Sequence, residues 1–168
     1  MSAPTRIVGK GRSLNKKAPD FTLPDQHGKP FHFYEALKSG PYLIVFYPGD
    51  FTAVCTAQLC DYRDHLEDFG RYNVQIVGIS KNPQDSHRRF ATQHGFSFPL
   101  LSDPNEDVAK AYGCRSLLMF GGVSRALAIV STDQRIRYHY VESTVITRRT
   151  AQELLKVLEQ LKTESALS

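Results

Sequence analysis

The run from Tyr42 to Cys60 constrains this chain more than any other stretch. Tyr42-Leu43-Ile44-Val45-Phe46-Tyr47 is apolar, rich in aromatic and β-branched residues, and short enough for a buried strand. Pro48, Gly49 and Asp50 break it. A helical pattern then starts near Thr52, with Leu59, Tyr62, Arg63, Leu66 and Phe69 spaced to share one side. Cys55 therefore falls in a first helical turn, just past a strand–loop junction. Free backbone N–H groups and the positive end of the helix dipole favour a thiolate over a thiol there. The stretch reads as a nucleophilic cysteine.

Strand and helix signals alternate along the rest of the chain. Ala18-Pro19 opens a hairpin in which Phe21 and Leu23 alternate, Asp25 to Lys29 form the turn, and Phe31 and Phe33 resume the alternation. Glu35 to Lys38 reads as a short helical turn stopped by Gly40-Pro41. Val74 to Ser80 is a second buried strand. Asn82-Pro83 looks like an N-cap and first-turn proline of a helix ending near His94-Gly95. Phe98 to Leu101 is a short strand, and Asp103-Pro104 opens a helix closed by Gly113. Leu127 to Val130 and Ile136 to Val141 flank a hairpin turn at Thr132-Asp133-Gln134. From Thr150, Leu154, Leu155, Leu158 and Leu161 mark an amphipathic helix. The pattern argues for an α/β domain, a central mixed sheet flanked by helices on both faces with an N-terminal β-hairpin. Chemistry in such folds sits beyond the carboxyl ends of strands, where Cys55 lies.

Composition narrows the class. With 168 residues the chain is expected to form a single domain over residues 1–168, burying about 70% of its unfolded surface. The net charge of +4 could suggest nucleic acid, but the basic residues are scattered, with Arg88-Arg89 and Arg148-Arg149 in different segments. A solvated basic surface is the better account, and no nucleic-acid partner is expected. Three cysteines do not make a disulfide scaffold. The first ten residues lack the apolar core of a signal peptide, and no run reaches the ~18–20 apolar residues of a membrane span. The expectation is a cytoplasmic protein without membrane attachment, in a reducing compartment where cysteines are more often catalytic or metal-binding than structural. The six histidines form no zinc-ligand spacing.

Pro48-x-x-x-Thr52-x-x-Cys55 resembles the active-site signature of the peroxiredoxins, thiol peroxidases on a thioredoxin-like fold. Phe46-Tyr47-Pro48, Asp61-Tyr62-Arg63-Asp64, Leu100-Leu101-Ser102-Asp103, Ala111-Tyr112-Gly113 and Gly122-Val123-Ser124-Arg125 add to the likeness. A second cysteine five positions on, Cys60, resembles the bacterioferritin-comigratory-protein or Q-type branch. The likeness runs from about Ala18 to the final helix.

The resemblance implies a role for each residue. Cys55 would be the peroxidatic cysteine, attacking the O–O bond and becoming a sulfenic acid. The Thr52 hydroxyl, brought toward the sulfur by one helical turn, would hydrogen-bond peroxide and sulfur. Pro48 would shape the loop and shield the site. Arg125 would stabilise the thiolate and the charge on the leaving oxygen. Cys60 would resolve the sulfenic acid as an intramolecular disulfide, and thioredoxin or a similar thiol reductant would reverse it. The substrate would be hydrogen peroxide or an organic hydroperoxide. No cofactor or metal is implied, and the chain would act as a monomer or weak homodimer.

Plainer readings stand beside these. A first-turn cysteine alone is more often a small buried hydrophobe. Thr52 is most simply an N-cap, Cys60 could be core, Arg125 an ordinary ion-pair partner, and Cys114 structural or a backup resolving thiol. Ala53-Val54 stands where many relatives have Pro-Gly, and Ala126 where they carry Ser or Thr. Two rival functions remain open. A thiol–disulfide oxidoreductase would favour Cys-x-x-Cys over the spacing here. A zinc or interaction module would hold stoichiometric metal.

Overall fold

The structure is a computed structural model and describes residues 14–114, 123–144 and 146–167. Residues 1–10 and Gly122, used above, lie outside the described residues. The organising strand forms as expected: β3, Tyr42–Phe46, is buried at every position. Two short strands precede it, β1 (Thr22–Pro24) and β2 (Pro30–His32), paired as the antiparallel hairpin that the alternation of aromatics indicated. A single helical turn, α1 (Phe33–Ala36), connects that hairpin to β3.

Beyond β3 the chain runs through α2 (Ala53–Asp64), α3 (Leu66–Gly70), β4 (Gln75–Ser80), α4 (Gln84–His94), β5 (Leu100–Ser102) and α5 (Asp107–Ala111). It finishes with β6 (Ala126–Val130), β7 (Ile136–Val141) and α6 (Ala151–Thr163). The central sheet has the order β5-β4-β3-β6-β7. Strands β3, β4 and β5 are parallel, while β6 and β7 are antiparallel to their neighbours, so the sheet is mixed. Strand alternation divides two cores. Leu43, Val45 and Tyr47 face one shared with α2, α4 and α6; Tyr42, Ile44 and Phe46 face another shared with Phe21 and Phe33, which flank the hairpin strands. Gly78 is required for close approach: a Cβ there would lie 2.8 Å from Leu100 and 3.2 Å from the Tyr47 ring.

Several boundaries differ from the sequence reading, each because a side chain bonds the backbone. The first long helix does not run on to Phe69. It ends at Asp64, where His65 leaves helical geometry (φ −113°, ψ 16°) and its Nδ1 lies 2.8 Å from the Asp61 carbonyl. Asn82 does not cap α4. Pro83 holds the N-cap position, and Asn82 Oδ1 accepts from the Asp50 N–H (2.9 Å) and the Ser80 hydroxyl (3.0 Å) instead. Asp103 does not open α5 directly; its carboxylate accepts from the N–H groups of Asp107, Val108 and Ala109, all at 3.1 Å, and caps the turn from outside. The helix stop at Gly95 is as expected, in the left-handed region at φ +67°. Helix α6 starts with a complete capping box between Thr150 and Glu153.

Candidate active site

The site is built where β3 delivers the chain to α2. After Tyr47, residues 48–52 turn the backbone across the end of the sheet. Phe51 takes a left-handed φ of +63°, unusual for a bulky residue, with its exposed ring held 5.0 Å from Phe90. Thr52 then sits at the N-cap in extended geometry, and its carbonyl accepts the first helical bond from Thr56 (2.9 Å). Cys55 is the third residue of α2 and fully buried. Its backbone N–H is among the four at a helix start that lack an intrahelical acceptor.

Arg125 reaches it from the other half of the sequence. Ala126 pairs with Phe46 across the antiparallel β6–β3 register, so the preceding residue arrives beside the exit of β3. Its Nη1 donates to Cys55 Sγ at 3.2 Å and to Gln58 Oε1 at 2.7 Å, with the side chain almost wholly buried. The guanidinium so placed presents a positive charge and an oriented donor to the sulfur. Gln58 lies one helical turn beyond Cys55 on the same face. Its Nε2 donates to the Tyr62 hydroxyl (2.9 Å), which donates in turn to the Arg149 carbonyl (2.7 Å). Burial keeps the Tyr62 hydroxyl far above the usual phenol range, so it remains a donor.

Thr52 differs from expectation. It occupies the N-cap, but its side chain makes no capping bond; the hydroxyl donates back to the Gly49 carbonyl at 3.2 Å rather than toward the sulfur. Pro48 is half-buried and lines a cavity of about 200 Å³ with Tyr47, Ser80, Lys81 and Val123. The loop itself is tied down by groups the sequence reading passed over. The Asp50 carboxylate, shielded from solvent, accepts from the Tyr47 hydroxyl (2.7 Å) and the Ser86 hydroxyl (2.8 Å), and lies 2.8 Å from His87 Nδ1. His87 Nε2 faces the Leu101 carbonyl at 3.1 Å. The ring thus bridges the Asp50 loop to the end of β5. Burial, then the Asp50 charge, raises the Tyr47 hydroxyl well above its ordinary range. A signal for Gln58 and His87 did exist: both fall at helical spacing on apolar faces, where a buried polar group needs a partner.

Cys60 lies five residues further on the same unbroken helix, partly buried, with Sγ 3.8 Å from His94 Nδ1. It borders a surface groove of about 420 Å³ shared with Ala57, Asp61, Asp64 and Arg148. All three cysteines are free thiols. Cys114 is fully buried, and burial pushes its thiol far up.

Residues 14–139 match the model of the AhpC/TSA family. Peroxiredoxin Q of Sedum lineare chloroplasts is 34% identical over 144 residues, covering 86% of this chain and 76% of that protein. Among solved structures, the peroxidoxin BcpB from Mycobacterium tuberculosis superposes with a TM-score of 0.78 at 30% identity, covering 90% of this chain and 97% of its own. The bacterioferritin comigratory protein of Xanthomonas campestris, whose alkyl peroxide reduction activity has been described, gives 0.74 at 25% identity, covering 86% and 92%. The chain therefore belongs to the AhpC/TSA family, in its peroxiredoxin Q and bacterioferritin-comigratory group, with the thioredoxin-like fold of those structures. Thiol-dependent reduction of a peroxide is its chemistry. No helix among the described residues is long and apolar enough to cross a membrane.

Proposed function

We propose that the chain reduces hydrogen peroxide and organic hydroperoxides through Cys55, with Cys60 as resolving thiol and thioredoxin or a similar dithiol protein as reductant. The observation that carries this is the Arg125 Nη1–Cys55 Sγ contact of 3.2 Å at the start of α2. The thiolate attacks one peroxide oxygen; an S–O bond forms as the O–O bond breaks, and the second oxygen leaves as hydroxide or alkoxide to be protonated. Arg125 donates to the sulfur and to the charge developing on the oxygens. The Thr52 hydroxyl, rotating off Gly49, donates to the bound peroxide, and Pro48 with the Asp50-anchored loop limits access of water. The activity described for the Xanthomonas relative supports organic hydroperoxides as substrates.

Resolution requires α2 to open. Five residues along a helix advance about 7.5 Å and turn about 500°, so the two cysteines point roughly 140° apart. A disulfide needs Cα atoms within about 4.4–6.8 Å and converging Cβ atoms. The intact helix from Ala53 to Asp64 meets neither condition.

The test is peroxide consumption with a dithiol donor, combined with mass mapping of the oxidised protein. Cys55→Ser is expected to lose all turnover. Cys60→Ser is expected to react once, stall as a sulfenic acid, and pass to the sulfinic acid in excess peroxide. A Cys60→Ser protein that cycles at the wild-type rate ends the assignment of Cys60.

A further inference from the structure

We propose that His94 is a catalytic residue of the resolving step, the base that takes the proton of Cys60; this rests on the reading of Cys60 as the resolving thiol. A disulfide forms from a sulfenic acid only when the second sulfur attacks as a thiolate. Cys60 sits near the middle of α2, away from the free N–H groups at its start, and Arg125 is engaged with Cys55 and Gln58. The group beside its sulfur is the His94 ring, with Nδ1 at 3.8 Å. That ring is held in orientation by aromatic contacts rather than left to rotate. It stacks on Phe96 (centroids 5.6 Å apart, planes at 25°) and stands edge-to-face on Phe90 (5.2 Å, 77°).

His94 is also the last residue of α4, where the negative end of the helix dipole stabilises an imidazolium once formed. The charged groups at this junction are Arg63 and Asp64. Arg63 donates through Nη1 to the His94 carbonyl and pairs through Nη2 with Asp64 at 2.9 Å. Arg63 opposes the imidazolium, and its partner Asp64 partly offsets that.

The same bonds decide which sulfur travels. From Cys60 onward α2 is fastened by three bonds to two other segments, the start of α6 and the end of α4. Asp61 Oδ2 accepts from the Ala151 N–H (2.7 Å), Tyr62 donates to the Arg149 carbonyl (2.7 Å), and Arg63 donates to His94. Among the described residues the first turns are held from outside the helix through Arg125, on Cys55 and Gln58, and the bond to Cys55 is the one that adding an oxygen to the sulfur disturbs. Opening is therefore confined to the segment before Cys60. Cys55 swings toward a Cys60 that stays against His94 and the surface groove. The balance closes without an added reagent. His94 Nδ1 accepts the Cys60 proton, the Cys60 lone pair forms the S–S bond, the S–O bond of Cys55 breaks, and the leaving hydroxide takes the proton from His94 as water.

The experiment uses stopped-flow fluorescence or rapid quench with mass detection, which separates sulfenic acid formation from disulfide closure. His94→Gln and His94→Phe are measured, the second preserving aromatic stacking. The expected result is an unchanged peroxide step and disulfide closure at least about tenfold slower near pH 7. The deficit should shrink toward nothing as pH rises past about 8.5, where an unassisted thiol ionises. A merely structural role would give a deficit independent of pH, and either that result or normal closure in both variants overturns the proposal. If wild-type protein forms no Cys55–Cys60 disulfide, the reading of Cys60 falls and His94 falls with it; if the bond forms and both variants close normally, only His94 falls.

Discussion

Replacing Arg125 with methionine removes the only charged group bonded to the Cys55 sulfur among the described residues, and the structure sets the size of the effect. At 3.2 Å the attraction between a guanidinium and a thiolate is about 5 kcal/mol for an effective dielectric near 20. Water and backbone N–H groups recover part of this in the variant. The loss of one oriented donor to developing charge typically costs about 2.7–4 kcal/mol, which corresponds to a rate loss on the order of 10²–10³. The second-order rate of Cys55 oxidation by hydrogen peroxide, followed by stopped-flow fluorescence, should fall by that factor. Arg125→Lys should fall less, because it keeps the charge while losing the fork that reaches Sγ and Gln58 together.

Stability is a confounding effect, since Arg125→Met leaves Gln58 Oε1 buried without its donor, at a cost of about 1–3 kcal/mol. Arg125→Met with Gln58→Leu removes the orphaned acceptor, while Tyr62 still donates to the Arg149 carbonyl. Stability should recover in the double variant and the rate should not. A folded Arg125→Met protein oxidised within twofold of the wild-type rate would refute the electrostatic reasoning.

Amide hydrogen exchange should rise on oxidation across residues 52–59, while residues 61–64 retain protection through their bonds to α6 and α4; uniform protection in both redox states, with the Cys55–Cys60 bond confirmed, rules out opening. Cys114→Ser should turn over at close to the wild-type rate, because that sulfur is fully enclosed; a stalled cycle in steady-state assays would move the resolving role to Cys114. Stability should decline in alkali, since folding raises the Cys114 thiol and the Tyr47, Tyr62, Tyr112 and Tyr138 hydroxyls, the last to about 12. The unfolded chain sheds these protons from about pH 8.5 for cysteine and about 10 for tyrosine while the folded chain holds them, so the urea midpoint should fall as pH rises through that range, and Cys114→Ala should delay the onset.

What the sequence made legible was local or periodic. The run Tyr42 to Tyr47 announces a buried strand because every position is apolar, and Gly95 announces a helix stop because only φ matters there. The place of Cys55 in the first turn of α2 was readable from the strand–loop break before it. Helix ends at His65, Asn82 and Asp103 were misplaced because a side chain satisfied backbone groups or a loop N–H in a way set by tertiary contact. The arginine at position 125 was assigned by resemblance; only the β3–β6 register explains its arrival at the sulfur. Asp50 looked like a strand breaker and His87 like one of six scattered histidines. Their pairing across 37 residues has no signature in either local pattern.

With Cys60 as the proposed resolving thiol, helix α2 carries two demands that cannot be met together. While its first turn is wound, Cys55 keeps the free N–H groups, the dipole and Arg125, and the sulfur is reactive but turned away from Cys60. Once that turn unwinds, the sulfurs can meet, but the field that made Cys55 nucleophilic is gone. Peroxide attack and disulfide closure therefore belong to different conformations, and the sulfenic acid waits for the interval between them. Each bond that holds the first turn, from the Asp50–Asn82 contact at the loop to Arg125 on Gln58, speeds the first reaction and delays the second. Loosening the loop should thus protect the enzyme from over-oxidation at the expense of its reaction with peroxide, whereas the contacts beyond Cys60 can be strong without that penalty because they hold the sulfur that does not move.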